Sequence, residues 1–159
     1  MEITTSAKVT TPSERDIVIT RTFDAPRTVV FEAWTKAEHV RLWWDPSGTP
    51  LSVCEIDLRP NGVFRWVSGG PDGAGHSFTG TYREISAPAR LVFTTRMSPS
   101  GAESVGTLVF SEHGGKTTLA ITIHCNSMAE RDALLEMRVD VGTVRTLGNL
   151  AEHLQKIGC

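Results

Sequence analysis

Residues 127–159, SMAERDALLEMRVDVGTVRTLGNLAEHLQKIGC, read as one long amphipathic helix. Val139, Thr143, Leu147, Leu150 and Leu154 recur at steps of three and four, the spacing that stacks side chains on one helical face. Ser127, with Glu130 three residues later, forms a capping-box start. A solitary helix gains little net stability in water, so this face needs a packing partner. The preceding segments are strand-like and supply one. A helix gripped by a curved antiparallel sheet encloses a pocket more readily than a flat two-layer packing does. The stretch therefore predicts an α+β domain with an interior cavity, and leaves the contents of that cavity open.

Working back from this helix, six strand-like runs follow one another: 51–58, 63–68, 77–85, 90–97, 104–111 and 116–125. Asn61-Gly62 is a hairpin signal, and Pro88, Pro99-Ser100-Gly101 and Gly114-Gly115 separate later runs. Residues 69–75 form a glycine-rich loop that lacks the Gly-Lys-Ser/Thr ending of a phosphate cradle. Short turns between successive strands favour one antiparallel sheet. Before them, residues 16–23 alternate as a strand. Two short helices follow, the first after Asp24-Ala25-Pro26 with Asp24 as its cap. The second runs from Lys36 to about Trp43 and ends at Asp45-Pro46-Ser47-Gly48. Residues 1–15 carry no periodicity and read as a flexible extension, leaving 16–159 as a single domain.

A chain of 159 residues suits one core of ordinary size. A formal charge of -2, with no run of Lys or Arg, argues against a nucleic-acid partner. Apolar runs fall far short of the roughly 20 residues that span a bilayer. No secretory signal is visible at the N-terminus, so the expected location is the cytoplasm. Cys54, Cys125 and Cys159 are odd in number and widely spaced, which is neither a disulfide framework nor a zinc pattern. No metal or cofactor is expected. A homodimer is the default assembly, although no residue marks an interface.

Four motifs occur in one order: Ile19-Thr20-Arg21-Thr22-Phe23-Asp24-Ala25-Pro26; Trp43-Trp44-Asp45-Pro46; Leu58-Arg59-Pro60-Asn61-Gly62-Val63-Phe64-Arg65; and Gly80-Thr81-Tyr82-Arg83-Glu84-Ile85 with Pro88-Ala89-Arg90-Leu91. In this the chain resembles the START-like (Bet v 1-like, SRPBCC) superfamily over about residues 16–154. It resembles most closely the branch of homologues of the activator of the heat-shock protein 90 ATPase. The resemblance implies a helix-grip fold, a curved antiparallel sheet wrapped around a long C-terminal helix with two short helices after the first strand. It implies a pocket rather than one reaction, since the superfamily includes small-molecule carriers, polyketide cyclases and dehydratases, and co-chaperone relatives. The Gly-Trp pair common in the final helix is Gly142-Thr143 here. Either the cavity is larger at that level, or Trp66 or Phe93 fills the space.

A ligand site would draw on Trp43 and Trp44 at the end of the second short helix. It would also use Phe64, Trp66, Phe78, Tyr82 and Phe93 on one face of the strands, with Val139 and Thr143 on the final helix. The same residues would equally form a packed core, and Trp43-Trp44 a hydrophobic plug. For proton transfer the candidates are Tyr82, His124, Glu136 and Asp140, with His124 pairing a helix carboxylate. An ordinary polar strand end at His124 and a solvated first half of the helix are the plainer alternatives. The favoured function is binding of a hydrophobic, ring-containing or acyl small molecule. A cyclase- or dehydratase-like enzyme and a chaperone-binding regulator are the alternatives.

Overall fold

The computed structural model describes residues 7–45, 50–67, 77–97, 103–136 and 138–157. The glycine-rich loop of residues 69–75, with His76 beside it, and the breakers at 46–48 and 99–101 lie outside these residues. An eight-stranded antiparallel sheet runs in the order β1-β2-β8-β7-β6-β5-β4-β3. Its strands are β1 (Lys8–Thr10), β2 (Asp16–Phe23), β3 (Val53–Ile56), β4 (Val63–Val67), β5 (Ser77–Ser86), β6 (Arg90–Met97), β7 (Glu103–His113) and β8 (Lys116–His124). Between β2 and β3 come helices α1 (Arg27–Thr35) and α2 (Ala37–Trp43), and after β8 come α3 (Met128–Glu136) and α4 (Val139–Ile157). The six-strand meander and the two short helices stand where the sequence places them.

Three local readings are corrected. Residues 8–10, assigned to a flexible extension, pair with β2 from Lys8↔Thr20 to Thr10↔Val18, so backbone hydrogen bonding recruits a segment that has no side-chain periodicity. The first helix is not capped by Asp24. Pro26 occupies the cap position without a side-chain bond, and the Arg27 N–H donates to Glu112 Oε1 of β7 at 2.9 Å. That carboxylate also suits the positive end of the helix.

The third correction concerns the C-terminal helix, which is two helices rather than one. Arg138 adopts φ 62° between them, a left-handed conformation incompatible with helix continuation. Its N–H donates to the Leu135 carbonyl, and the Gly142 N–H donates to the Arg138 carbonyl to start α4. Ser127 caps α3 as expected, its Oγ accepting from the Glu130 N–H at 3.1 Å. The reciprocal half of the capping box is missing, since Glu130 Oε1 is buried without a partner.

The core lies between the concave sheet face and the helices. Ile17, Ile19 and Phe23 of β2, Leu91 of β6, Leu108 and Phe110 of β7, and Leu119 and Ile121 of β8 meet Val30, Phe31 and Trp34 of α1. Leu147, Leu150 and Leu154 of α4 complete it. Phe31 meets Phe110 edge-on, with centroids 5.3 Å apart. A bulge between Tyr82 and Glu84 re-phases β5, so that Tyr82 opposes Phe93 while Ile85 opposes Leu91. Both inward pairs survive the bend that such a bulge imposes.

Candidate functional site

Antiparallel register decides which side chains share the concave face, because directly opposed residues project to the same side. Cys54 opposes Trp66, which opposes Phe78. In the next inward row Ile56, Phe64, Gly80 and Thr95 stand opposite one another, and beyond it Tyr82, Phe93, Gly106 and Ile123. The strand aromatics named from the sequence are thus brought to one surface. Phe64 is their hub, with centroid distances of 4.9 Å to Trp66, 5.2 Å to Tyr82 and 5.5 Å to Phe93. Gly80 makes room for it: a Cβ there would lie 2.5 Å from the Phe64 ring and would also strike the Thr94 carbonyl oxygen.

The hairpin turn fixes Tyr82. Asn61, at φ 69°, donates its N–H to the Tyr82 carbonyl, and the Tyr82 N–H donates to the Gly62 carbonyl at 2.9 Å. Above the sheet, the two tryptophans of α2 differ in role. Trp43 is sealed in the core, its indole N–H donating to the Ala33 carbonyl at 3.1 Å, and so joins α2 to α1. Trp44 is half-buried and leans over the strand aromatics, 4.7 Å from Trp66 and 5.0 Å from the half-buried Phe78. Helix α4 holds this corner by its backbone. Thr146 Oγ1 donates to the Trp44 carbonyl at 2.9 Å, and Asn149 Nδ2 to the Asp45 carbonyl at 2.9 Å.

The remaining candidates are scattered. Val139 and Thr143 are half-buried in the first turns of α4, with Thr143 Oγ1 donating back to the Val139 carbonyl. Asp140 is half-buried nearby, and Glu136 is exposed at the end of α3. The partner of His124 is not a helix carboxylate: its Nδ1 lies 2.6 Å from Asp16 Oδ1 on β2, with the imidazole about half exposed. The two residues oppose one another in the sheet, which brings them together across 108 positions. The hydrogen bond from His124 holds the Asp16 carboxyl below its ordinary range.

Of the four proton-transfer candidates, Tyr82 alone is buried. Burial, with the neighbouring Cys54 thiol as a smaller cause, pushes its hydroxyl above the ordinary tyrosine value and keeps it protonated. Burial likewise pushes the Cys54 thiol up to about 11, against a smaller opposing influence from Arg41. At neutral pH both groups are uncharged hydrogen-bond donors. Cys54 was not singled out from the sequence. Its signal was there in the alternation of β3, where it shares the parity of Ile56.

Among the described residues, no group of three or more His, Cys, Asp or Glu is placed to hold a metal ion. No helix among them is long and apolar enough to cross a membrane. A solvent-open depression of about 390 Å³ lies on the outer face of the sheet, where Arg65, Thr79, Thr81, Thr94 and Arg96 line it.

The Activator of Hsp90 ATPase homolog 1-like protein family model matches residues 24–155. The chain belongs to this family. The family is one of the START/Bet v 1-like SRPBCC group, in agreement with the sequence motifs. No curated protein matches the sequence. A solved protein from Rhodobacter sphaeroides superposes with a TM-score of 0.87 at 22% identity, covering 95% of this chain and 99% of its own. One from Nitrosomonas europaea gives 0.81 at 24% identity, covering 92% and 97%. DynU16, from the dynemicin biosynthetic locus, gives 0.71 at 20% identity, covering 91% of this chain and 48% of its own. At these identities the likeness establishes the helix-grip fold.

Proposed function

We propose that the chain binds a hydrophobic, ring-containing or acyl small molecule between the concave sheet face and α4. The observation that carries this reading is the aromatic surface formed by Phe64, Trp66, Phe78, Tyr82 and Phe93. It is buried at Phe64, Trp66, Tyr82 and Phe93 and half-exposed at Phe78, against which the half-exposed Trp44 packs. Its open stacking area for a planar guest lies at Phe78 and Trp44, and the sealed rings form the floor beneath them, with few polar groups to orient a guest. Affinity would come from removing apolar area from water at roughly 25 cal/mol per Å², less the cost of ordering the guest.

A cyclase- or dehydratase-like reaction is favoured by one feature, the buried Tyr82 hydroxyl. It stays protonated and so would donate a hydrogen bond to a developing oxyanion, although its raised pKa makes it a weak acid for full proton transfer. The other three candidates stand exposed or half-exposed, so binding is the better-supported reading.

The test is a thermal-stability screen against apolar ring compounds and acyl chains. A ligand at one hundred times its Kd adds about 2.7 kcal/mol to the folded state. The expected result is a midpoint raised by several degrees for a subset of ring compounds. An unmoved midpoint across the saturating panel would defeat the proposal.

A further inference from the structure

Trp66 is 4% exposed, and its indole Nε1 is sealed from solvent without a hydrogen-bond partner. Buried N–H groups are nearly always satisfied in folded proteins, and an orphan calls for an explanation. Trp34 Nε1 is also unpartnered, but that side chain belongs to α1 and meets Trp43 and Trp44 edge-on at 4.8 Å and 6.1 Å, on the helical side of the core. Trp66 instead shares the strand face with Tyr82, which is 2% exposed. Phe64 stands between them, 4.9 Å from one ring and 5.2 Å from the other. With the Cys54 thiol, this surface holds three uncharged donors. The nearest inward hydroxyl pair, Thr95 and Ser104, is satisfied internally at 3.1 Å.

We infer that the guest molecule carries a neutral hydrogen-bond acceptor, a ketone, aldehyde or ester carbonyl conjugated to its ring, to which the Trp66 N–H donates. This rests on the ligand-binding reading above and narrows its ligand class. A carbonyl oxygen accepts without having to donate, which matches the donor-only indole N–H. A carboxylate fits less well at Trp66, whose N–H is neutral, since the nearby charge of Arg41 is felt at Cys54 instead. The thiol is protonated at neutral pH, so the carbonyl is held without being attacked.

The experiment compares near-isosteric pairs, acetyl against isopropenyl derivatives of benzene, naphthalene and anthracene, by calorimetric titration of the intact chain, Trp66→Phe and Tyr82→Phe. Expected is about a tenfold preference for the ketone, close to 1.4 kcal/mol. The preference should collapse in Trp66→Phe and persist in Tyr82→Phe, whose hydroxyl lies beyond the Phe64 ring. A second readout needs no variant. With four tryptophans in the chain, one indole N–H resonance should move downfield with the ketone and stay in place with the alkene. Equal affinity within pairs, or a preference that survives Trp66→Phe, overturns the acceptor inference and leaves apolar binding standing. A pair whose ketone shifts no indole resonance also overturns it. Failure of all six compounds to bind overturns both proposals together.

Discussion

His39 of α2 and His153 of α4 face each other with Nδ1 and Nε2 2.9 Å apart and rings nearly perpendicular at 70°. One nitrogen must donate and the other accept, so the contact requires at least one neutral imidazole. The pair lies on the same helix–helix seam as the Thr146 and Asn149 bonds, and so helps hold the corner that carries Trp44.

This contact makes stability depend on pH in a definite direction. Burial first, then the charges of His39 and Lys156, lower the His153 pKa below the ordinary 6.5. The unfolded chain therefore binds that proton more readily than the folded one. The contribution of His153 is complete above about pH 6.5 and is lost as pH falls below it toward the folded value. Asp16, also lowered, acts in the same sense in a separate window beneath its ordinary 3.8. Urea midpoints should decline from pH 7.5 to 5, and His153→Gln should flatten that slope. An unchanged slope in the variant would remove His153 as the cause.

Thr146→Val keeps the shape of a buried side chain and deletes its bond to the Trp44 carbonyl. An acceptor stripped of its partner costs on the order of 1–3 kcal/mol. For a domain of this size that is roughly 2–4 °C of midpoint per kcal/mol. Calorimetry should show the loss. Tryptophan emission should shift to the red as Trp44 loosens. A stability loss with unchanged emission would show that the bond holds α4 without positioning the indole.

Gly80→Ala would drive a methyl against the Phe64 ring and the Thr94 carbonyl. Overpacking of this kind costs about 1–3 kcal/mol. In a Phe64→Leu background the ring clash is relieved but the backbone clash persists. Denaturant unfolding of the double mutant should therefore show less than the sum of the two single effects. Strict additivity would mean that Gly80 is not the seat of the Phe64 ring.

The strand face was legible because alternation with a period of two is a local property: Phe64 and Trp66, or Phe78 and Tyr82, declare a shared side within a few residues. The long-range pairs were not. His39 with His153 and Asp16 with His124 are joined by folding across 114 and 108 positions, and no spacing rule reaches so far. Arg27 likewise finds Glu112 only because α1 packs over β7. Trp43 and Trp44 are adjacent and chemically identical, so their division into sealed plug and half-exposed ring depended on the angle at which α2 meets the sheet.

The break before α4 was hidden for a different reason: position 138 carries Arg, where a helix stop usually shows Gly or Asn. Arg138 at φ 62° tolerates a conformation that costs a residue with a side chain roughly 1–2 kcal/mol. Arg138→Gly removes that strain, against about 0.5–1 kcal/mol of added freedom in the unfolded chain. The side chain is exposed and forfeits little packing. The variant should therefore be more stable by up to about 1.5 kcal/mol in urea unfolding, the difference between those two magnitudes. In an uninterrupted helix the same substitution would cost about 1 kcal/mol, because Gly is a poor interior residue. The sign of the change thus separates the two geometries, and a destabilised variant would restore the single continuous helix.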